Sequence, residues 1–212
     1  MQVKRPFFCG ERATYHHGSL KDALIEAARA LVAERGPAGF TLAEAAKRVG
    51  VTGAAPYRHF ADRDALLREL ALRGFARFGT VLQAAWQGGA PDATTAMRRM
   101  GRAYQAFSRD EPGLYSAMFG SPGTHARLGG ADIATQTFEM LVTATTAVLA
   151  QHGVSVSARA VAYEIWALSH GVAMLGLTGF LSTQHAGRDP GEILDSATAS
   201  LIEMAIRRAK AS

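Results

Sequence analysis

The run FTLAEAAKRVGVTGAAPYRHFADRDALLREL occupies residues 40–70, and its punctuation decides the fold. Thr41 precedes Glu44 by three residues, the spacing of a capping box. In that motif a hydroxyl closes one orphan amide and a carboxylate returns to the cap. A helix opening there has room for about two turns before Gly50. Glycine ends helices because it enters the left-handed region without penalty. Thr52 is the next candidate cap, and the short helix after it carries Tyr57-Arg58-His59 on a polar-aromatic surface. Asp62 then opens a longer helix, with Asp64 adding charge in its first turn and residues 65–86 carrying it onward.

Pro56 is the odd residue in this run. Proline has no N–H and clashes with the carbonyl four residues back. If Thr52 were the cap, Pro56 would forfeit an internal hydrogen bond. A cap at Gly53 instead places Pro56 third in the helix, where no internal partner exists for an N–H. The sequence therefore predicts a late or 3₁₀-tightened start near Gly53, with Pro56 stiffening the first turn.

Outside this run the pattern stays helical. Ser19 and Asp22 frame another capping box, and Leu20, Leu24, Ala27, Ala28, Leu31 and Val32 form one apolar face ended by Gly36-Pro37. Beyond GGAPD at 88–92, helical stretches are predicted at roughly 93–110, 113–119, 130–152, 157–181 and 191–210. No strand alternation and no repeat interrupts them, so the expected fold class is all-α. It divides into an N-terminal three-helix unit at 14–61 and a helical remainder at 62–212.

Composition narrows the class. Hydrophobic residues are 48% and charged residues 19% of the 212, enough for a substantial core. No apolar run reaches a membrane span without small-residue and polar interruption, and the N-terminal segment lacks the apolar stretch of a signal peptide. One cysteine, Cys9, permits no internal disulfide, and a cytoplasmic location without membrane attachment is expected. Residues 1–77 hold 13 Lys and Arg against 8 Asp and Glu, while 78–212 hold 10 of each, so the formal excess of +5 lies in the first third. A small module apposed to phosphates carries such an excess, as do many solvated surfaces.

A short helix, a glycine turn and another short helix outline a helix-turn-helix. Ala46 is small where the two helices pack, Val51 plugs the angle between them, and Phe60 anchors the second against Leu20 and Leu24. A plain αα-corner in a helical core is the bland alternative, but it has no need of two successive caps and this polar-aromatic surface. Residues 19–75 resemble the N-terminal signature of the TetR family of transcriptional repressors, through the Thr41 cap, Ala45-Ala46, Gly50-Val51-Thr52, Tyr57, His59-Phe60, a basic residue at 63 and Leu66-Leu67. Trp166-Ala-Leu-Ser-His170-Gly171 is similar to the W-x-x-x-H-G element of one subgroup's C-terminal domain.

The resemblance implies specific contacts to double-stranded operator DNA. Thr41, Thr52, Tyr57, His59 and Arg63 fall where the family touches phosphates; Gly53, Ala54, Ala55, Tyr57 and Arg58 lie on the face presented to bases. Most members carry Leu or Ile where this chain has Pro56, and 53–56 lack Lys, Gln or Asn. Bidentate base reading is left to Arg58, with methyl contacts from Ala54 or Ala55 and DNA shape as supplements. Lys4, Arg5, Arg12 and the pair His16-His17 precede the first helix as a candidate phosphate-binding arm. Adjacent histidines point apart with no further ligand at metal spacing, so no metal and no cofactor is expected.

The C-terminal part supplies two further expectations. Residues 161–181 are apolar on nearly all sides, and Ile193, Leu194, Ala197, Leu201, Met204 and Ala205 make a stripe on the last helix. Both suit a homodimer through the last two helices, the four-helix arrangement that TetR-like proteins use. The alternative is a monomeric core. Phe75, Phe78, Tyr104, Phe107, Tyr115, Phe119, Phe138, Trp166 and His170 lie among small residues and are the candidate lining of a pocket for an unidentified, mainly apolar effector. Glu139 and Glu164 are candidates to face a cation. Arg98, Arg99 and Arg102 are expected to meet the DNA-binding unit near a hinge driven from Phe75 and Phe78. The reading is a ligand-responsive repressor; the alternatives are a constitutive DNA-binding regulator and an enzyme, for which nucleophile, base and acid at recognisable spacing are lacking.

Overall fold

The computed structural model describes residues 20–120, 132–154, 157–181 and 187–211. The Ser19 cap, Cys9, His16-His17 and the basic arm lie outside them. Among the described residues there are eight α-helices and no strand: α1 Leu20–Arg35, α2 Leu42–Val49, α3 Arg63–Trp86, α4 Ala93–Asp110, α5 Pro112–Phe119, α6 Asp132–Gln151, α7 Ala158–Leu177 and α8 Pro190–Ala211.

Local chemistry sets the N-terminal boundaries. The Thr41 hydroxyl accepts from the Glu44 N–H at 3.2 Å, and the Glu44 carboxylate accepts from the Thr41 N–H at 2.9 Å. Gly50 closes α2 at φ 80°. Asp62 opens α3 by accepting from the Ala65 N–H at 2.7 Å. A Cβ at Gly50 would meet nothing within 4 Å, so its role is conformational. Gly50→Ala is expected to cost about 1–2 kcal/mol through left-handed strain alone, measurable as a lower urea midpoint with an unchanged slope.

The predicted second helix of the motif is a single 3₁₀ turn, Ala55–Arg58. Ala54 precedes it without a side-chain cap. The Ala55 N–H bonds instead to the Thr52 carbonyl at 3.0 Å. The regular turn thus starts later than the expected Gly53 cap and stops sooner, because the Pro56 carbonyl accepts from both His59 and Phe60 N–H groups at 2.9 Å. Pro56 sits within the first two positions, where its missing N–H costs nothing. Its ring is among the most deeply buried side chains, facing inward like an apolar core residue rather than lying on the outer surface.

The remaining helices pack around one core. α1 lies on α2, α3 and α5; α3 lies on α4, α5 and α6; α7 lies on α4, α6 and α8. α7 ends at Leu177 instead of 181, because Gly179 turns left-handed at φ 74° and the Leu181 N–H folds back to the Leu175 carbonyl at 3.0 Å. Ile133–Gln151 and Ala158–Leu177, with mean hydropathies of 1.2 and 1.3, are long and apolar enough to cross a membrane, which the sequence reading did not anticipate. Here they pack against α3, α4, α8 and each other, the setting of core helices.

Candidate nucleic-acid interface and effector cavity

The 3₁₀ turn sorts the candidate DNA contacts by direction. With Pro56 and Phe60 inward, Thr52, Gly53, Ala54, Tyr57, Arg58 and His59 are exposed and Ala55 is half-buried. Tyr57 leaves 61% of its surface in solvent, far more than a packing residue keeps. Two candidates are more committed than the sequence suggested. The Thr41 hydroxyl donates to the Glu44 carboxylate at 3.1 Å, and that carboxylate also accepts from Arg35 at 2.8 Å. The Arg63 guanidinium donates to Asp64 Oδ1 at 3.1 Å and to the Ala38 carbonyl at 3.3 Å, so its charge is partly offset.

A cavity of about 350 Å³ lies in the helical remainder. Phe75, Phe78, Tyr104, Phe119, Phe138 and Trp166 line it as expected. Three candidates stand elsewhere. Phe107 packs behind Phe78 with ring centroids 5.0 Å apart, and Tyr115 and His170 form a polar group beside Tyr104. Burial pushes the Tyr104 phenol up to about 12, raises Tyr115 further and lowers His170 from 6.5.

Sequence reasoning missed Met97, Met100, Arg159 and Tyr163 as lining. Arg159, Tyr163 and Trp166 follow the i, i+4, i+7 stripe of one helix face, a signal that was available. Glu139 lines the cavity but is paired, Arg159 Nη2 donating to both its oxygens at 2.8 Å; Glu164 is exposed and not among the lining residues. Among the described residues no cluster of His, Cys, Asp or Glu could hold a metal.

The lowered His170 pKa has a testable sign. The folded protein keeps the imidazole neutral while the unfolded chain takes up a proton below about 6.5. Stability from this group is therefore complete above that value and is lost as the pH falls through it. Acidification from about pH 7 to about pH 5.5 is expected to lower the urea midpoint of the native chain more than that of His170→Gln.

The link between the cavity and the N-terminal helices also differs from expectation. Arg98 and Arg102 pair with Asp195 of α8 at 3.5 and 3.0 Å, and Arg99 donates to the Ala85, Trp86 and Ala90 carbonyls. None of these contacts reaches α1 or α2. Glu111 makes the connection instead. Only 8% exposed at the α4–α5 junction, it accepts from Arg29 of α1 at 3.0 Å and from Arg77 of α3 at 2.6 Å. Two residues on, Gly113 lies so close to α1 that a Cβ there would fall 2.2 Å from the Arg29 carbonyl oxygen. The far end of α5 places Met118 and Phe119 in the cavity wall.

A short helix, a glycine turn and a 3₁₀ turn, followed by a helical bundle, make up the outline of a helix-turn-helix regulator. Residues 24–70 match the family described as "Bacterial regulatory proteins, tetR family", and 97–201 match "Tetracyclin repressor-like, C-terminal domain". Together these cover more than half of the chain, and the protein belongs to the TetR family of transcriptional regulators. No curated protein matches the sequence. Its fold is similar to that of a Rhodococcus sp. RHA1 protein of unknown function, at TM-score 0.74 and 28% identity over 90% of this chain and 97% of that one. A tetR-family regulatory protein from Rhodococcus RHA1 follows at TM-score 0.64 and 23% identity, over 89% and 96%. The fatty acid degradation regulator FadR from Bacillus halodurans aligns at TM-score 0.69 and 16% identity, over 88% and 96%.

Proposed function

We propose that the chain is a cytoplasmic, dimeric repressor released from operator DNA when a small, mainly apolar effector enters the cavity. The observation that carries this reading is the placement of α5, which lines the cavity at one end and presses on α1 at the other. Residues 14–61 act as the reading head and 62–212 as the effector and dimerisation part. Thr41, Thr52, Tyr57, His59 and Arg63 face phosphates, while Gly53, Ala54, Ala55, Tyr57 and Arg58 face bases. An effector that favours a different seat for Met118 and Phe119 shifts α5, and Glu111 and Gly113 pass that shift to α1. The population then moves away from the spacing that fits two half-sites. A constitutive regulator has no use for such a cavity.

Dimerisation is supported by the outward faces of α7 and α8. Tyr163, Met174, Leu175 and Met204 are exposed there beside Ala167, Gly171, Ala199 and Ser200, a mixture of apolar and small residues that permits close helix approach. The Trp166 and His170 of the W-x-x-x-H-G element serve the cavity wall and the polar group behind it.

The test is operator titration. Genomic fragments retained by the purified protein supply the operator, and light scattering gives the oligomeric state on it. Compounds that raise the thermal midpoint through the cavity are then added. The expected result is a dimer per operator and a fall in operator affinity of at least tenfold, about 1.4 kcal/mol of coupling. Unchanged operator affinity with every such compound overturns the effector reading, and a monomer on DNA overturns the dimer.

A further inference from the structure

The cavity's polar atoms specify what kind of molecule it takes. Glu139 and Arg159 are its charged lining residues, and each neutralises the other at the junction of α6 and α7. The Arg159 guanidinium also lies 5.7 Å from the centre of the Phe138 ring. Both side chains keep about half of their surface in solvent, so the preference for an uncharged ligand rests on the apolar wall, where an unpaired charge would lose its hydration. Seven aromatic residues from five helices form much of the remaining wall, together with Met97, Met100 and Met118. Flat, uncharged molecules fit that surface.

Proton bookkeeping then fixes the polarity of the hydrogen bond on offer. Tyr115 Oη lies 2.8 Å from His170 Nδ1, and Tyr104 Oη lies 3.1 Å from Tyr115 Oη and 3.5 Å from the same nitrogen. Each phenol has one proton. A phenol O–H is a stronger donor than an imidazole N–H, and an imidazole nitrogen is a stronger acceptor than a phenol oxygen. The short contact is therefore Tyr115 O–H donating to His170 Nδ1. With that proton spent, Tyr104 donates to Tyr115, and each donation makes the donor oxygen a better acceptor. Tyr104 thus lines the cavity with a lone pair and no available proton.

Thr137 repeats the arrangement. Its hydroxyl donates to the Ile133 carbonyl at 2.8 Å, leaving lone pairs on the wall. A ligand carbonyl or ether placed at either oxygen would meet lone pair with lone pair; a hydroxyl or N–H would be paired. Burial, which keeps His170 neutral and hence an acceptor, agrees with this direction of the chain.

We propose that the effector is an uncharged, largely aromatic molecule carrying a hydroxyl or N–H group that it donates to Tyr104 Oη. This deepens, and rests on, the ligand-responsive reading above.

Three probes of one shape test it by calorimetry on the full chain: 2-naphthol, 2-methoxynaphthalene and 2-naphthoate. The expected order is naphthol tightest, by about tenfold over the methoxy compound, with naphthoate weakest. Tyr104→Phe is expected to remove the naphthol preference while leaving the methoxy compound's affinity unchanged. The comparison in the native chain stands without the variant, should Tyr104→Phe fail to fold. Equal or reversed affinities, naphthoate binding tightest, a preference that survives in Tyr104→Phe, or no binding by the naphthol each overturn the proposal. Operator release is scored separately. The expected order without release leaves the selectivity standing and counts against the response; release with the wrong order does the opposite.

Discussion

Gly113→Ala is expected to lower the unfolding free energy by about 2–3 kcal/mol, the upper range for overpacking a close contact. For a chain of this size that corresponds to a fall of roughly 5–10 °C in the thermal midpoint. The added Cβ would stand 2.2 Å from the Arg29 carbonyl oxygen and 3.1 Å from Arg29 Cγ. The first of these is backbone, so no rotamer change relieves it; α1 and α5 must separate. Two glycines calibrate the effect. A Cβ at Gly74 meets Met118 Cγ and Sδ at 2.8 Å, the movable part of a flexible side chain, and Gly74→Ala is expected to cost less. At Gly53 a Cβ meets nothing within 4 Å, and Gly53→Ala is expected to leave stability within about 0.5 kcal/mol. Differential scanning calorimetry of the three variants gives the order. A Gly113→Ala midpoint equal to the native one would remove the tight α1–α5 contact from the account, and with it the proposed route from cavity to DNA.

Arg58→Ala is expected to weaken specific operator binding by about tenfold to a hundredfold, the range of one bidentate base contact. Non-specific binding should change far less. Elimination on a small surface leaves Arg58. Gly53, Ala54 and Ala55 offer no long polar side chain, Pro56 faces inward, and Arg58 is exposed with no ion pair among the described residues. Arg63→Ala provides the contrast, because that guanidinium is already shared between Asp64 and the Ala38 carbonyl. Its loss should weaken specific and non-specific binding alike, and by less. Fluorescence anisotropy at two salt concentrations separates the outcomes. If Arg63→Ala costs more specificity than Arg58→Ala, the assignment of the base-reading residue is wrong.

What could be read from the chain alone was whatever is decided within about four residues. The Thr41–Glu44 box, the left-handed Gly50 and the Asp62 cap are local hydrogen-bond geometries, and all three stand where the sequence put them. The apolar face of α1 was equally readable, since helical spacing alone brings Leu24, Ala28 and Leu31 to one side. Pro56 was half legible. Its missing N–H argued for a tightened turn, but whether its ring pointed at solvent or core depended on helices far away in sequence. The three arginines of α4 failed for the same reason. Amphipathic spacing tells which residues share a face, not which neighbour that face meets: Arg98 and Arg102 meet Asp195, over 90 residues later, and Arg99 meets the carbonyls of Ala85, Trp86 and Ala90. Bulk and aromaticity picked out six cavity residues correctly. They could not separate Tyr104, at the cavity, from Tyr115, one hydrogen bond behind it. Glu111 and Gly113 carried no local signal at all, because their significance lies entirely in how near Arg29 comes.

The bare patch at Gly53-Ala54-Ala55 has a consequence for adaptation. Gly53 has an ordinary backbone and vacant space around it, so a larger residue can be installed there without disturbing the buried proline or its neighbours. If that patch faces bases as proposed, one substitution adds a new base preference while the helical remainder stays untouched. On the proposed reading, two descendants of this gene diverge in the promoters they govern while keeping one effector, and an engineer building orthogonal regulators would begin at the same residue.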